Sequence, residues 1–370
     1  MKIKSVKAYP VQAKMAIPYI TAMARKVNSD SVVTIVETDH GAVGFGQAAT
    51  SAQNYSRFEE HQDTIVHVVN RYISEALLGM NPFDIELIHK KMGEVAKGHL
   101  YAHSTVDLAC YDLMGKVTQH PVVRLLGGAL RDRIPLCAPH LSILPPEELA
   151  RQAAHFVGVG YKFINLRVGL DLARDCQNIS AVREAIGSTI PIAVDFSQSL
   201  GTLTSRSETA IFHIRKLEQA GASSFEQPVD DWDIEGLSRI SHAIDSPVVA
   251  DESVRTVHDA IRIIERRAAD VVKIKLMKVG GIFPARKIAT ILNAVGIPVT
   301  VGNGLAGGIA NSAEAHFAFS IPNLKVPGEM NGFLRLENDP TSGDLVTQDC
   351  DLLCPTQAGI GASADMFLDS

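Results

Sequence analysis

The 370-residue chain sets 35 lysines and arginines against 41 aspartates and glutamates, for a formal net charge of -6. This excludes a general binder of nucleic acid or of anionic membrane, since both reward a basic surface. With 46% hydrophobic and 21% charged residues the composition is that of a globular protein with ample core, long enough for a barrel plus a smaller partner domain.

The N-terminal residues MKIKSVKAYPVQAKM lack the apolar run of a signal peptide, and no stretch approaches a membrane span. The five cysteines (Cys110, Cys137, Cys176, Cys350 and Cys354) are scattered and odd in number, as free thiols in a reducing cytoplasm would be. A cytoplasmic location is expected. Residues Ser31 to Thr38 read as a strand, Asp39-His40-Gly41 as a turn, and Ala42 to Ala48 as the antiparallel partner. From about Phe58 to Lys116 the pattern is helical, and VVRLLGG closes that unit on a glycine stop.

After Arg131 short β-branched segments recur, each followed by a helix-length amphipathic stretch. They start at Ile134, Lys162, Ile192, Ser223, Pro247, Val271, Pro298 and Lys325, between 24 and 31 residues apart. Eight such units predict a closed parallel (β/α)8 barrel of the TIM type. A doubly wound sheet is the rival, but no GxGxxG follows any of these strands. The expected organisation is an α+β capping domain over residues 1–130, completed by 345–370, and a barrel over 131–344.

Chemistry in such barrels sits where strands end. Strands three, four and five end in Asp195, Glu226 and Asp251, so three successive strands deliver carboxylates to one rim. Close unpaired carboxylates repel, and a hard divalent cation with oxygen ligands neutralises them. Salt bridges to lysine or arginine are the alternative. Strand six ends in Lys273-Ile274-Lys275, and period-two alternation sends both lysines to one face. Beside a cation, Lys275 is expected to have a depressed pKa and to act as a base, with Lys273 as the carboxylates' partner. Strand two ends in Asn165-Leu166-Arg167, placing Arg167 across the barrel as an electrostatic clamp. Glu329, on strand eight, is expected to orient substrate, with a barrel-rim ion pair as the alternative.

These residues resemble the enolase superfamily, in its muconate lactonizing enzyme and mandelate racemase branch, over nearly the whole chain. GAVGFGQA is similar to the family's N-terminal signature, HSTVDLACYDLMGKVTQHPVVRLLGG to the helix and linker entering its barrel, and VDFSQ, FEQP and VADES to its metal-ligand segments. VVKIKLMKVGGI is similar to its sixth-strand segment. The resemblance implies Mg²⁺, with Mn²⁺ as an alternative ion, held by Asp195, Glu226 and Asp251. It also implies Lys275 as catalytic acid or base, removal of a proton α to a carboxylate with stabilisation of the resulting enediolate, and a homo-oligomer, often octameric. Loops Ile17 to Lys26 and Thr50 to Ser56 are expected to close over the site, with Tyr19, Arg25 and Lys26 touching substrate. Asn165, Lys273 and Asn303 are further candidate substrate contacts.

Three departures stand out. The usual Lys-x-Lys of the second strand is Asn165-x-Arg167; strand seven ends in Gly302-Asn303-Gly304, with no His-Asp pair; and Gln47 and Ser197 replace a common glutamate and asparagine. Racemisation needs a base on each face, and arginine keeps its proton. A one-base reaction on a small carboxylate is therefore expected: a muconate-cycloisomerase-like isomerisation first, or elimination by a dehydrating lyase. Racemisation or epimerisation follows if Arg167 serves as second base. A Schiff-base enzyme using Lys275 and a non-catalytic metal and carboxylate binder are the remaining alternatives.

Overall fold

A computed structural model describes residues 1–21, 25–50, 60–139, 141–201, 207–341 and 343–368. Two long strands, Ile3–Ile20 and Arg25–Thr38, pair antiparallel, and Val43–Ala49 adds to the second. One face of this sheet is covered by the helix Leu100–Thr118, apolar on nearly all sides and buried from Tyr101 to Gly115. The helix approaches the third strand so closely that a Cβ on Gly44 or Gly46 would fall 2.1 Å from the Ala109 carbonyl oxygen or 1.9 Å from that of Thr105.

The same helix ties the N-terminal unit to the rest of the chain. Asp107 accepts from the backbone N–H of Ile282 at 2.6 Å, and Asp112 from those of Phe45 and Ile360 at 2.9 and 2.8 Å. The buried carboxylates thus satisfy backbone donors of a helix start, a strand and a loop. The C-terminal residues return to this region, where Phe367 stacks on Tyr9 at 5.4 Å between ring centres.

The second unit is a parallel sheet of six strands in chain order: Ile164–Arg167, Ile192–Asp195, Ser224–Glu226, Val248–Ala250, Val271–Ile274 and Val299–Val301. Two irregular segments close it into the (β/α)8 barrel. Leu141 bridges to Leu166 on one edge, Leu324 bridges to Val299 on the other, and Leu136 bridges to Gly328 between them. The first and eighth segments thus depart from the regular strands expected at Ile134 and Lys325. The strand Arg133–Pro135 pairs instead with Asp351–Leu353, outside the ring. Pro139 and Pro327 lack the N–H a continuous ladder requires, which limits both segments to short contacts.

The segment expected as a closing loop between Ile17 and Lys26 is the end of the long hairpin: Tyr19 pairs with Lys26 and Ile20 with Arg25. Residues 22–24 and 51–56 of the two expected loops lie outside the described residues. Among the described residues no helix is long and apolar enough to cross a membrane.

Candidate active site

The barrel's parallel register sets the site. Arg167 is level with Asp195, and Asp195 with Glu226, on three adjacent strands. Asp251 follows the fifth strand directly, and Lys275 follows the sixth and precedes a single helical turn, Leu276–Val279. Alternation along each short strand turns these side chains inward. Asp195, Glu226, Asp251 and Lys273 are all at least 96% buried.

Each of the three carboxylates rests on a cationic side chain. Arg167 pairs with Asp195 and also donates to the Ser197 hydroxyl at 3.2 Å. Lys273 Nζ bridges Glu226 Oε2 at 2.5 Å and Glu329 Oε2 at 2.7 Å. Lys275 donates to Asp251 Oδ2, and Lys278 to Asp251 Oδ1 at 2.9 Å. Gln227 fixes the turn after the fifth strand, its Oε1 accepting from the backbone N–H of Asp251 at 2.9 Å and of Ser253 at 3.2 Å.

These pairs determine the protonation states. Burial pushes the Lys275 ammonium down, but the Asp251, Glu252 and Glu226 charges outweigh it, and its pKa lies well above the usual lysine value. The depressed pKa expected from sequence applies beside a bound cation, whereas here the dominant neighbour is the Asp251 anion, which stabilises the ammonium. Lys273 moves in the same direction, held up against burial by Glu226 and Glu329. Burial raises Glu226, while Asp251 is lowered because Lys275, Lys278 and Lys273 overcome its desolvation. Arg167 is raised despite burial, with Tyr19 and the surrounding acids favouring its charge.

The remaining expected site residues are distributed around this centre. Asn165 donates to Glu329 Oε1 at 2.9 Å, so Asn165, Lys273 and Glu329 form one buried chain of contacts. Asn303 donates to the Glu329 carbonyl and accepts from Leu305 N–H at 2.7 Å. Tyr19 is 8% exposed and lies under two guanidiniums, Arg167 at 5.4 Å and Arg335 at 5.6 Å from its ring centre. Arg25 is exposed, and Lys26 reaches the Thr50 carbonyl at 3.5 Å. A cavity of about 360 Å³ opens beside Tyr19, with Arg25, Leu141, Phe156, Leu334 and Arg335 in its wall.

Three residues of this site escaped the sequence reading. Lys278 lies one helical turn beyond Lys275, a spacing that was visible but uninterpreted. Glu252 is half-buried beside Asp251, its pKa pushed up to about 7 by desolvation and by the Asp251 charge. Arg335 comes from a single 3-10 turn, Gly332–Arg335, and no motif marks it.

Whether the carboxylates suit a cation is decided by their donors. Among the described residues no three His, Cys, Asp or Glu side chains are gathered tightly enough for a metal, because each acid is drawn onto its lysine or arginine. Yet Glu226 Oε1 is buried without a hydrogen-bond partner. A buried carboxylate oxygen left unpaired is costly, and an oxygen-only donor set on adjacent strand ends suits a hard divalent ion. The residues fit such an ion, provided the acids release their present partners.

Similarity to known proteins covers both units. Residues 3–127 match the mandelate racemase/muconate lactonizing enzyme N-terminal domain, and residues 148–368 match the enolase C-terminal domain-like family. An N-succinyl-L-Arg/Lys racemase from Bacillus cereus is 32% identical, the match spanning 94% of this chain and 96% of that protein. Its crystal structure superimposes with a TM-score of 0.91 over 98% of this chain and 95% of the racemase. A dipeptide epimerase from Enterococcus faecalis, in complex with Mg and the dipeptide L-Leu-L-Tyr, is 30% identical with a TM-score of 0.89, covering 98% of this chain and all of the epimerase. A 2-chloromuconate cycloisomerase from Rhodococcus opacus is 26% identical with a TM-score of 0.92, covering 99% and 98%. With both of its units matched, the chain belongs to the enolase superfamily, in its muconate lactonizing enzyme and mandelate racemase branch, and is an enzyme of that family.

Proposed function

We propose that the protein uses Lys275 as the single acid or base that moves a proton at the carbon α to a substrate carboxylate. The observation that carries this reading is the unequal exposure of three lysines around Asp251 and Glu226. The Lys275 side chain is 18% exposed, whereas those of Lys273 and Lys278 are 2% and 4% exposed. Lys273 is fixed between two glutamates, and Lys278 also bonds the carbonyls of Asp251 and Lys273. Lys275 is thus the most solvent-accessible of the three.

Asp195, Glu226 and Asp251 would hold Mg²⁺, which supplies fixed positive charge for a carboxylate and for the negative charge that grows as the α-proton leaves. Release of Asp251 by Lys275 removes the contact that now holds its pKa up, bringing the amine toward the range a general base needs. Arg167 faces the substrate from the opposite wall. It keeps its proton, so it orients and stabilises charge without accepting a proton. One base on one face suits a cycloisomerisation like that of the chloromuconate relatives, or a β-elimination.

A second reading is racemisation or epimerisation, favoured by the racemase and epimerase relatives at 30–32% identity. It requires Arg167 to exchange a proton, against both its raised pKa and its pairing with Asp195. The test is α-proton exchange in D₂O. A panel of hydroxy acids, N-acyl amino acids, dipeptides and lactones is incubated with Mg²⁺ and either wild type or Lys275→Ala. Exchange that needs both Mg²⁺ and Lys275 supports the proposal, and exchange in both stereoisomers favours the second reading.

A further inference from the structure

The three strand-end carboxylates divide their oxygens in the same way, one engaged by a donor that the surrounding fold holds in place and one not. In Asp195, Oδ1 accepts from the Ser197 backbone N–H at 2.7 Å and from its hydroxyl at 3.2 Å, while Oδ2 meets the Arg167 side chain. In Glu226, Oε2 takes Lys273, and Oε1 is buried with no hydrogen-bond partner among the described residues. In Asp251, Oδ1 takes Lys278 at 2.9 Å and Oδ2 takes Lys275.

The two lysines on Asp251 are held very differently. Lys278 is 3% exposed, and its ammonium meets three acceptors: Asp251 Oδ1, the Asp251 carbonyl, and the Lys273 carbonyl at 3.1 Å. An ammonium has three N–H donors, so this set saturates it. The turn that carries Lys278 is itself anchored, since Gly281 N–H donates to the Leu276 carbonyl at 2.8 Å and Ile282 N–H to Asp107 at 2.6 Å. Lys275 bonds Asp251 Oδ2 alone among the described residues, and its side chain is 18% exposed. An incoming cation can send Lys275 toward water, whereas displacing Lys278 would leave a buried ammonium short of an acceptor.

We propose that Lys278 sets the ion preference of the site: by occupying Oδ1 it restricts Asp251 to a single ligand oxygen, Oδ2, and so favours Mg²⁺ over Ca²⁺. This rests on the reading that Asp195, Glu226 and Asp251 hold a divalent ion, and it concerns which ion they take. Mg²⁺ demands near-ideal octahedral geometry and keeps several waters, whereas Ca²⁺ accepts more oxygens and often takes both from one carboxylate. Three acids that each offer one oxygen suit the first ion and deny the second its two-oxygen grip. Both ions carry the same charge, so repulsion by the Lys278 ammonium is common to them. The ratio of their affinities therefore isolates the effect of the occupied oxygen.

The test titrates Mg²⁺ and Ca²⁺ calorimetrically into the full-length protein as wild type, Lys278→Met, Lys278→Gln and Asp251→Asn. Wild type should prefer Mg²⁺, and Lys278→Met should shift the ratio of the two dissociation constants toward Ca²⁺ by about 10-fold or more. Lys278→Gln, a neutral donor, should keep part of the preference, which separates occupancy of Oδ1 from charge. Equal affinities in wild type overturn the proposal, as does an unchanged ratio in Lys278→Met with wild-type circular dichroism. Should that variant not fold, a crystal structure of wild type with Mg²⁺ decides. Lys278 still bonded to Asp251 Oδ1 supports the proposal, and an ion on both Asp251 oxygens overturns it. Binding that depends on Asp251 but keeps its ratio in Lys278→Met sinks only this inference. Binding of neither ion, or binding indifferent to Asp251→Asn, sinks the ion-binding reading and this inference with it.

Discussion

The Lys275 ammonium rests on the Asp251 carboxylate, so the candidate base and one candidate metal ligand neutralise each other. A divalent cation and Lys275 therefore compete for the same oxygens. Asp251→Asn should weaken Mg²⁺ binding on the order of 100-fold, since one of three charged ligands is lost. Calorimetric titration of Mg²⁺ into the variant measures this, and unchanged affinity would remove Asp251 from the ligand set.

Arg167 offers a test of the single-base account. Arg167→Lys places a group with an ordinary pKa near 10.4 on the second face. Proton exchange from the stereoisomer that is inert in wild type should then rise about 10-fold or more. Arg167→Met, which removes the charge, should lower turnover about 100-fold. NMR exchange rates on both stereoisomers distinguish these outcomes, and equal exchange in wild type and Arg167→Lys would count against the assigned roles.

His316 joins three parts of the chain as a neutral ring. Its Nδ1 accepts from Val123 N–H at 3.1 Å and its Nε2 donates to the Ile360 carbonyl at 3.1 Å. Burial pushes its pKa down to about 4. The folded pKa thus lies below the unfolded value near 6.5, and the unfolded chain binds the extra proton. Stability should fall as pH drops from about 6.5 toward 4, by on the order of 3 kcal/mol from this residue. In His316→Gln, denaturant melts across this range should show a smaller decline; an unchanged pH slope would exclude the residue as its source.

Gly46 sits where the third cap strand meets the helix Leu100–Thr118, and an added Cβ would collide with backbone. Gly46→Ala should cost about 3 kcal/mol, as overpacking of a closed interface does. Chemical denaturation reads this directly, and a loss below about 0.5 kcal/mol would show that the strand and helix can separate.

Much of this architecture was legible in the chain. Eight evenly spaced β-branched segments announced the barrel, because each buried parallel strand must be short, apolar and followed by a helix. The strand-end positions of Asp195, Glu226, Lys273 and Arg167 followed from the same pattern. The irregular first and eighth segments did not, since Pro139 and Pro327 break ladders that composition alone predicts. The pairing of Lys275 with Asp251 was not legible either, because Asp251 reaches it from another strand. Arg335 carried no signal: its burial is created by segments distant in sequence.

Deuterium exchange at the α-carbon tests the central claim most directly. Wild type and Lys275→Ala, each shown to bind Mg²⁺, are compared in D₂O on both stereoisomers of any acid that turns over. The account predicts exchange in one stereoisomer of the wild-type reaction, and its loss in Lys275→Ala or without the ion. Exchange that survives in Lys275→Ala would contradict the assignment of Lys275 as the proton-transfer group.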